Sequence, residues 1–223
     1  MRQIFRYLPL LSLLPFCVPY ASAQSSVDFM LGFGTAHDKS NGGCIDNVSF
    51  VGYPSAGVDP TPSSCQANPS LGGFFLGIGG DVMLWKHLGI GAEINVQPAR
   101  SNYGPLQYRQ EFYDFNAIFA PVNNKRVTLQ LQGGVGGAHT GFSYNQAGGC
   151  VGTAVCVPAQ SEPVGVSNHF QIHGGIGVSL FLTEHIFIRP QFDVHYVPSL
   201  TDQFGSNFVP AATVWVGYNF GER

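Results

Sequence analysis

Histidine and charged residues that alternate with apolar ones mark the part of this chain with the greatest potential for chemistry. His173 stands in "QIHGG" and His195 in "DVHY". Two imidazoles held side by side could bind a metal ion or relay a proton. Between them lies "TEH", which we interpret as a turn between two antiparallel strands. Positions whose numbers sum to 368 then face each other, which places His173 opposite His195 with Cβ atoms about 5 Å apart.

A second interpretation makes both histidines members of an interior polar network that needs no metal. Further charged residues occupy equivalent polar positions in the neighbouring segments: Asp81, Glu93, Asp114, Arg189 and Asp193. A buried charge is costly without a partner, so charges that share an interior are expected to pair with one another. This interpretation is favoured, and the sequence is predicted to have no catalytic residues, no metal site and no cofactor.

Eight segments with alternating apolar and polar residues would position these side chains as β-strands with two different faces. They lie near residues 26–35, 72–84, 88–97, 107–120, 127–139, 168–182, 186–197 and 208–220. In "LGIGAEINVQ", for example, Ile90 and Ile94 share one face while Glu93 and Asn95 share the other. No stretch with helical periodicity follows the N-terminal segment, so the fold class is predicted to be all-β.

The N-terminal segment has the features of a secretory signal peptide. Arg2 and Arg6 precede a short apolar stretch, and Ala21-Ser22-Ala23 supplies small residues for cleavage. We therefore predict a cleaved signal at 1–23 and a single domain at 24–223. Loss of the two arginines leaves eight basic residues against 13 acidic ones, which gives no electrostatic basis for binding nucleic acid.

Three features indicate that the apolar faces of the strands are in contact with lipid and not with a protein core. The polar faces consist mostly of Gly, Gln, Asn, Ser and Thr, and only 10% of all residues are charged. Short connections such as "WKH", "PVNNKR" and "TEH" alternate with longer polar ones, which we predict at about 36–71, 98–106, 140–167 and 198–207. The strands are also longer than the roughly five or six residues usual in soluble proteins. Tilted strands of this length cross a bilayer as a closed barrel, with apolar residues outside and polar residues inside.

The segments "GGIGVSLFLTEHIFIRPQFDVHYV" and "VWVGYNF" resemble the last strands of small outer-membrane β-barrel domains related to the barrel of outer-membrane protein A. The resemblance implies an eight-stranded antiparallel up-and-down transmembrane β-barrel with short periplasmic turns and long outer loops. It also implies a bacterial outer membrane as the location, with lipid and lipopolysaccharide as neighbours. Two departures from the family pattern are the residues after Phe220 and the prolines Pro190 and Pro210 within strands, which are expected to disturb the local register.

Four cysteines fall in two pairs, each within one predicted outer loop. Four cysteines permit three connectivities. We predict the two local disulfides, Cys44–Cys65 and Cys150–Cys156, because the loops face an oxidising exterior and neither pair has to cross the barrel. A zinc site is the alternative, but no Cys-x-x-Cys or Cys/His spacing supports it.

Three classes of function are compatible with such a chain. The favoured one is a monomeric, non-enzymatic barrel that carries its loops for envelope integrity or for contact with an unknown surface ligand. Although porin-like in architecture, an eight-stranded barrel is too narrow for a general diffusion pore. The first alternative is a lipid-modifying enzyme with an active site at the rim, drawn from Ser199, Asp202 and a loop histidine such as His139. The second is a secreted lipocalin-like barrel, which needs a polar exterior and an apolar interior.

Overall fold

The computed structural model describes residues 26–40, 69–103, 106–146, 149–151 and 155–221. Eleven strands are formed: β1 (Ser26–Ala36), β2 (Phe74–Met83), β3 (Leu88–Val96), β4 (Ser101–Tyr103), β5 (Leu106–Asn123), β6 (Val127–Gln146), β7 (Gly149–Val151), β8 (Val155–Val157), β9 (Gln160–Phe181), β10 (Ile186–Tyr196) and β11 (Phe208–Asn219). A short 3-10 turn covers Leu200–Asp202. The predicted signal peptide and the Cys44–Cys65 pair lie outside the described residues.

Eight of these strands close into a ring in which every neighbouring pair is antiparallel. The order is β1-β2-β3-β5-β6-β9-β10-β11, and β11 pairs back with β1 through Asp28↔Asn219. The predicted eight-stranded up-and-down barrel is therefore confirmed. Within the described ranges no helix is long and apolar enough to span a membrane. We call the end with the short turns the inner end and the opposite end the outer end.

Alternation of exposure along each strand shows which face points outward. In β1, Phe29, Leu31 and Phe33 are about half exposed, whereas Asp28 and Met30 are buried. The same alternation runs through β10, whose outward residues are apolar apart from Pro190. An apolar exterior around a polar interior is the distribution of a membrane barrel, and it excludes the lipocalin-like alternative, which needs a polar exterior.

Both prolines are accommodated without a register shift, contrary to the expected disturbance. The β10–β11 ladder runs without interruption from Ile186↔Tyr218 to Tyr196↔Phe208, through both Pro190 and Pro210. On its other edge β10 keeps a single register with β9, although pairing is interrupted at Arg189 and Pro190, and His195 pairs with His173 as the turn spacing predicts. A proline removes only one backbone N–H donor, and the backbone hydrogen bonds on either side of it are sufficient to keep the two strands in register.

Strands β6 and β9 extend well beyond their predicted outer ends, which corrects the prediction of a long loop at 140–167. β6 and β9 stay paired as far as Gln146↔Gln160, and β5 pairs with β6 as far as Leu106↔Tyr144. On the outer part of β9 most residues of both faces are exposed. Outside the hydrocarbon layer both faces meet water, so the alternation that marks a strand in the sequence is lost although backbone pairing continues.

Candidate functional site: the barrel interior

All seven charged residues of the predicted interior network are buried. Their exposed fractions range from zero to a few per cent: Arg189 0%, Asp81 1%, Asp114 2%, Glu93 3%, His195 4%, Asp193 5% and His173 6%. They come from β2, β3, β5, β9 and β10. Each lies at one of the alternate strand positions whose side chains point into the barrel. Ring closure thus brings together side chains that are far apart in the sequence.

Arg189 organises the inner end of the lumen. Its Nη1 lies 2.8 Å from Asp81 Oδ2, its Nη2 lies 3.7 Å from Asp28 Oδ2, and its Nε donates to Ser179 Oγ at 3.0 Å. The guanidinium also lies 5.2 Å from the centre of the Phe187 ring. Ionic, hydrogen-bonding and cation–π contacts together allow this charge to remain out of water.

Glutamine side chains link the carboxylates in the middle of the barrel. Gln191 Nε2 donates to Glu93 Oε2 and to Asp193 Oδ2, both at 2.9 Å. Gln132 Nε2 donates to Asp193 Oδ1 at 2.8 Å. Strands β10 and β3 lie on opposite sides of the ring, so the contact between Gln191 and Glu93 crosses the whole lumen.

The two histidines meet a carboxylate from a third strand. The rings of His173 and His195 stack with centroids 5.5 Å apart, and Phe112 stacks on the other face of His195 at 4.9 Å. Asp114 Oδ1 lies 3.0 Å from His173 Nδ1 and 3.9 Å from His195 Nδ1. Gln171 Nε2 donates to the same carboxylate oxygen at 2.6 Å. Two imidazole nitrogens and one carboxylate oxygen therefore converge on a common point.

An apolar cluster closes the outer end above this network. It contains Ala36, Leu71, Phe75, Tyr103, Leu106, Tyr108, Phe112, Ala138, Val197, Leu200, Phe204 and Val209. The segment between β10 and β11 contributes Leu200 and Phe204, which fold over the lumen and are fully buried. Tyr103 donates its hydroxyl to the Gln203 carbonyl at 2.8 Å. Burial raises the pKa of Tyr103 to about 12, so its hydroxyl keeps its proton and this hydrogen bond at physiological pH.

The apolar cluster and several partners of the network were not predicted from the sequence. Asp28, Gln132, Gln171 and Gln191 all hold charged side chains in place. Each lies at a position of a predicted strand whose side chain points inward, so the alternation alone would have included all four in the predicted interior network. The apolar cluster offered no such signal, because half of its members lie at strand ends or in connections.

The rim residues considered for catalysis are not assembled into a site among the described residues. His139 Nδ1 lies 2.7 Å from Asn168 Oδ1 rather than against Ser199 or Asp202. Ser199 adopts a left-handed backbone conformation with φ of 64° at the start of the 3-10 turn. Of the predicted disulfides, only Cys150 and Cys156 belong to described strands, where they are paired opposite each other in the β7–β8 register.

The chain matches no protein-family model and no curated protein. Its similarities are to solved barrels. Ail, the attachment invasion locus protein of Yersinia pestis, in complex with the heparin analogue sucrose octasulfate, has a TM-score of 0.51 at 12% identity, over 88% of this chain and 99% of that one. Neisserial surface protein A has a TM-score of 0.50 at 10% identity, over 88% and 96% of the two chains.

A major outer membrane protein from Thermus thermophilus gives the same result, with a TM-score of 0.51 at 10% identity over 87% of this chain and 99% of that one. Identities this low establish the fold and no shared activity. Together with the closed ring and the apolar exterior, they show that this chain has the eight-stranded β-barrel fold of small outer-membrane proteins.

Proposed function

We propose that the chain is a non-enzymatic outer-membrane barrel with a closed interior, which carries its outer connections for contact with a surface ligand or for envelope integrity. The observation that carries this proposal is the 2.9 Å hydrogen bond from Gln191 to Glu93, which joins opposite walls of the ring. A hydrogen bond across the full diameter divides the lumen at that level, which supports a closed interior. An eight-stranded ring is only wide enough to be filled by side chains.

The outer end supports the same proposal. Leu200 and Phe204 pack over the lumen above the polar network, so a solute would meet apolar packing before it reached that network. This arrangement differs from that of wide porins, whose interior is a water-filled channel. The barrel therefore serves as an anchor, and recognition is assigned to the outer end.

The outer end also offers a surface for a partner. The extended strands β5, β6 and β9 project a small sheet beyond the ring, and Val166 on it is 65% exposed. We propose that disulfides Cys44–Cys65 and Cys150–Cys156 restrain the connections around this sheet, which would reduce the entropy lost on binding a partner. The structure of Ail in complex with a heparin analogue shows that a barrel of this fold can bind a surface ligand. For the present chain, a monomer in contact with lipid and lipopolysaccharide is the proposed state.

Two measurements on the refolded mature chain test the proposal. In planar bilayers we expect no stable conductance steps from heat-modifiable, correctly folded protein. The double variant Glu93→Ala/Gln191→Ala removes the bond across the lumen and is expected to show more frequent current events. Stable conductance of the wild-type chain would contradict the closed interior. Mass spectrometry of lipopolysaccharide and phospholipid after incubation with the protein should show no modified product. A modified product would contradict the proposal and support a lipid-modifying enzyme.

A further inference from the structure

We propose that Asp114, His173 and His195 form a binding site for a divalent transition-metal ion, of the Zn²⁺ class, inside the barrel. The three residues project inward from β5, β9 and β10. Their potential ligand atoms all lie within 4.8 Å of one another. This inference goes beyond the anchoring function, which does not require a metal.

The distances are close to those of a coordination sphere. Ligand atoms held 2.0–2.1 Å from a tetrahedral zinc ion lie about 3.4 Å from one another. Asp114 Oδ1 lies 3.0 Å from His173 Nδ1 and 3.9 Å from His195 Nδ1. These two separations differ from that value by a few tenths of an ångström, and all the ligand atoms lie within 4.8 Å of one another, so binding requires the two histidine side chains to shift toward the ion but no change in strand register.

Unpartnered nitrogens on both rings provide an independent indication. Among the described residues, His173 Nε2 and His195 Nδ1 are buried without a hydrogen-bond partner. Both residues are more than nine-tenths buried. A buried polar atom without a partner is unfavourable, and coordination of His195 Nδ1 would give one of these atoms a partner.

The charge balance of the interior favours a cation at this place. In the described part of the lumen, five carboxylates are buried: Asp28, Asp81, Glu93, Asp114 and Asp193. Arg189 is the only buried arginine or lysine of that part, and it contacts Asp81 and Asp28 near the inner end. The carboxylates around the histidines must therefore be balanced by protons or by another cation. Two stacked imidazoles cannot both carry a charge cheaply, whereas one divalent ion between them and Asp114 balances two carboxylates.

The donor set selects the kind of metal. Imidazole nitrogens favour zinc, nickel, copper and cobalt over magnesium and calcium, which prefer oxygen ligands. Gln171 would act as a positioning residue, since it holds the carboxylate of Asp114 by a hydrogen bond of 2.6 Å. Three protein ligands leave a fourth position for water.

The experiment uses the full mature chain, refolded in detergent with equimolar Zn²⁺ or Co²⁺ because the closed interior limits later entry. Thiols are blocked by alkylation so that cysteines cannot contribute. We expect one ion per barrel after dialysis, and visible absorption bands of four-coordinate Co²⁺. His173→Gln and His195→Gln should each weaken affinity at least about a hundredfold, and Gln171→Ala, which acts through Asp114, about 10–100-fold.

His169→Gln is the matched control. His169 lies on the same strand as His173, about 13 Å away along the chain, which is too far to share an ion. Its Nε2 already lies 2.7 Å from Ser167 Oγ. The proposal is overturned if the wild-type chain holds no stoichiometric metal, if either interior histidine variant binds as well as the wild type, or if His169→Gln removes the ion. Should an interior variant fail to refold, the wild-type stoichiometry and Co²⁺ spectrum decide the question alone.

Discussion

Arg189 Nη1 lies 2.8 Å from Asp81 Oδ2, and both side chains are completely shielded from solvent. The pair joins β10 to β2, which are three positions apart around the ring. Such a pair does not by itself add stability, since two charges have lost their hydration. Removal of one partner nevertheless leaves an uncompensated charge in the lumen.

Arg189→Met is expected to lower the free energy of unfolding by about 3–5 kcal/mol, because Asp81 and Asp28 lose their cation. The measurement is reversible urea unfolding in lipid vesicles, followed by tryptophan fluorescence. In the double variant Arg189→Met/Asp81→Leu the orphaned carboxylate is gone, and part of the loss should be recovered. A double variant less stable than Arg189→Met would contradict the ion-pair account.

The side chain of Trp215, from β11, lies inside the barrel against β1 and β2, where glycines leave space for its ring. A Cβ atom at Gly77 would lie 2.5 Å from Trp215 Cη2. We expect Gly77→Ala to destabilise the barrel by about 1–3 kcal/mol through overpacking. Trp215→Phe in the same chain should relieve the part of that cost that comes from the indole ring, whereas the contact of the new Cβ with Asn95 Oδ1, at 2.7 Å, stays. The unfolding free energies of the single and double variants give the coupling directly.

Gly165→Ala is the control for Gly77→Ala, since no atom lies within 4 Å of a Cβ placed at Gly165. It should leave stability within about 0.5 kcal/mol of the wild type. Equal losses in Gly77→Ala and Gly165→Ala would show that backbone entropy, and not contact with Trp215, dominates.

The apolar exterior is tested by placing the same charge at two depths. Ile78 in the middle of β2 is 47% exposed, and Val166 on the outer extension of β9 is 65% exposed. Ile78→Arg should cost about 2–4 kcal/mol in lipid vesicles because the charge enters hydrocarbon, whereas Val166→Arg should cost about 0–1 kcal/mol. A comparable cost at both positions would contradict the assignment of the membrane band.

The outer cysteines are expected to form two local disulfides. In the β7–β8 pair the backbone register sets Cys150 opposite Cys156, a pairing within reach of a disulfide. Non-reducing peptide mapping of outer-membrane protein should yield Cys44–Cys65 and Cys150–Cys156 peptides, and reductant should slow the unboiled band on a gel. Free thiols that react without prior reduction would exclude the disulfides.

Most of the architecture followed from local patterns in the sequence. The parity of Asp81, Glu93, Asp114 and Arg189 alone assigned them to the interior, because a strand directs successive side chains to opposite faces. The short turn between β9 and β10 set the His173↔His195 pair, and two prolines did not disturb it. The extensions of β6 and β9 were missed because both of their faces meet water and the alternation disappears.

What the sequence by itself determined was which face of each strand is apolar, the eight ring strands and the register of the β9–β10 hairpin, since all of these depend on neighbours along the chain. Only the tertiary structure decided which side chains meet across the lumen. Gln191 reaches Glu93, and Asp114 reaches both histidines, because ring closure sets the distance between strands that share no hairpin. The apolar cluster at the outer end likewise required folding of the segment around Leu200 and Phe204, whose burial no periodic pattern encodes.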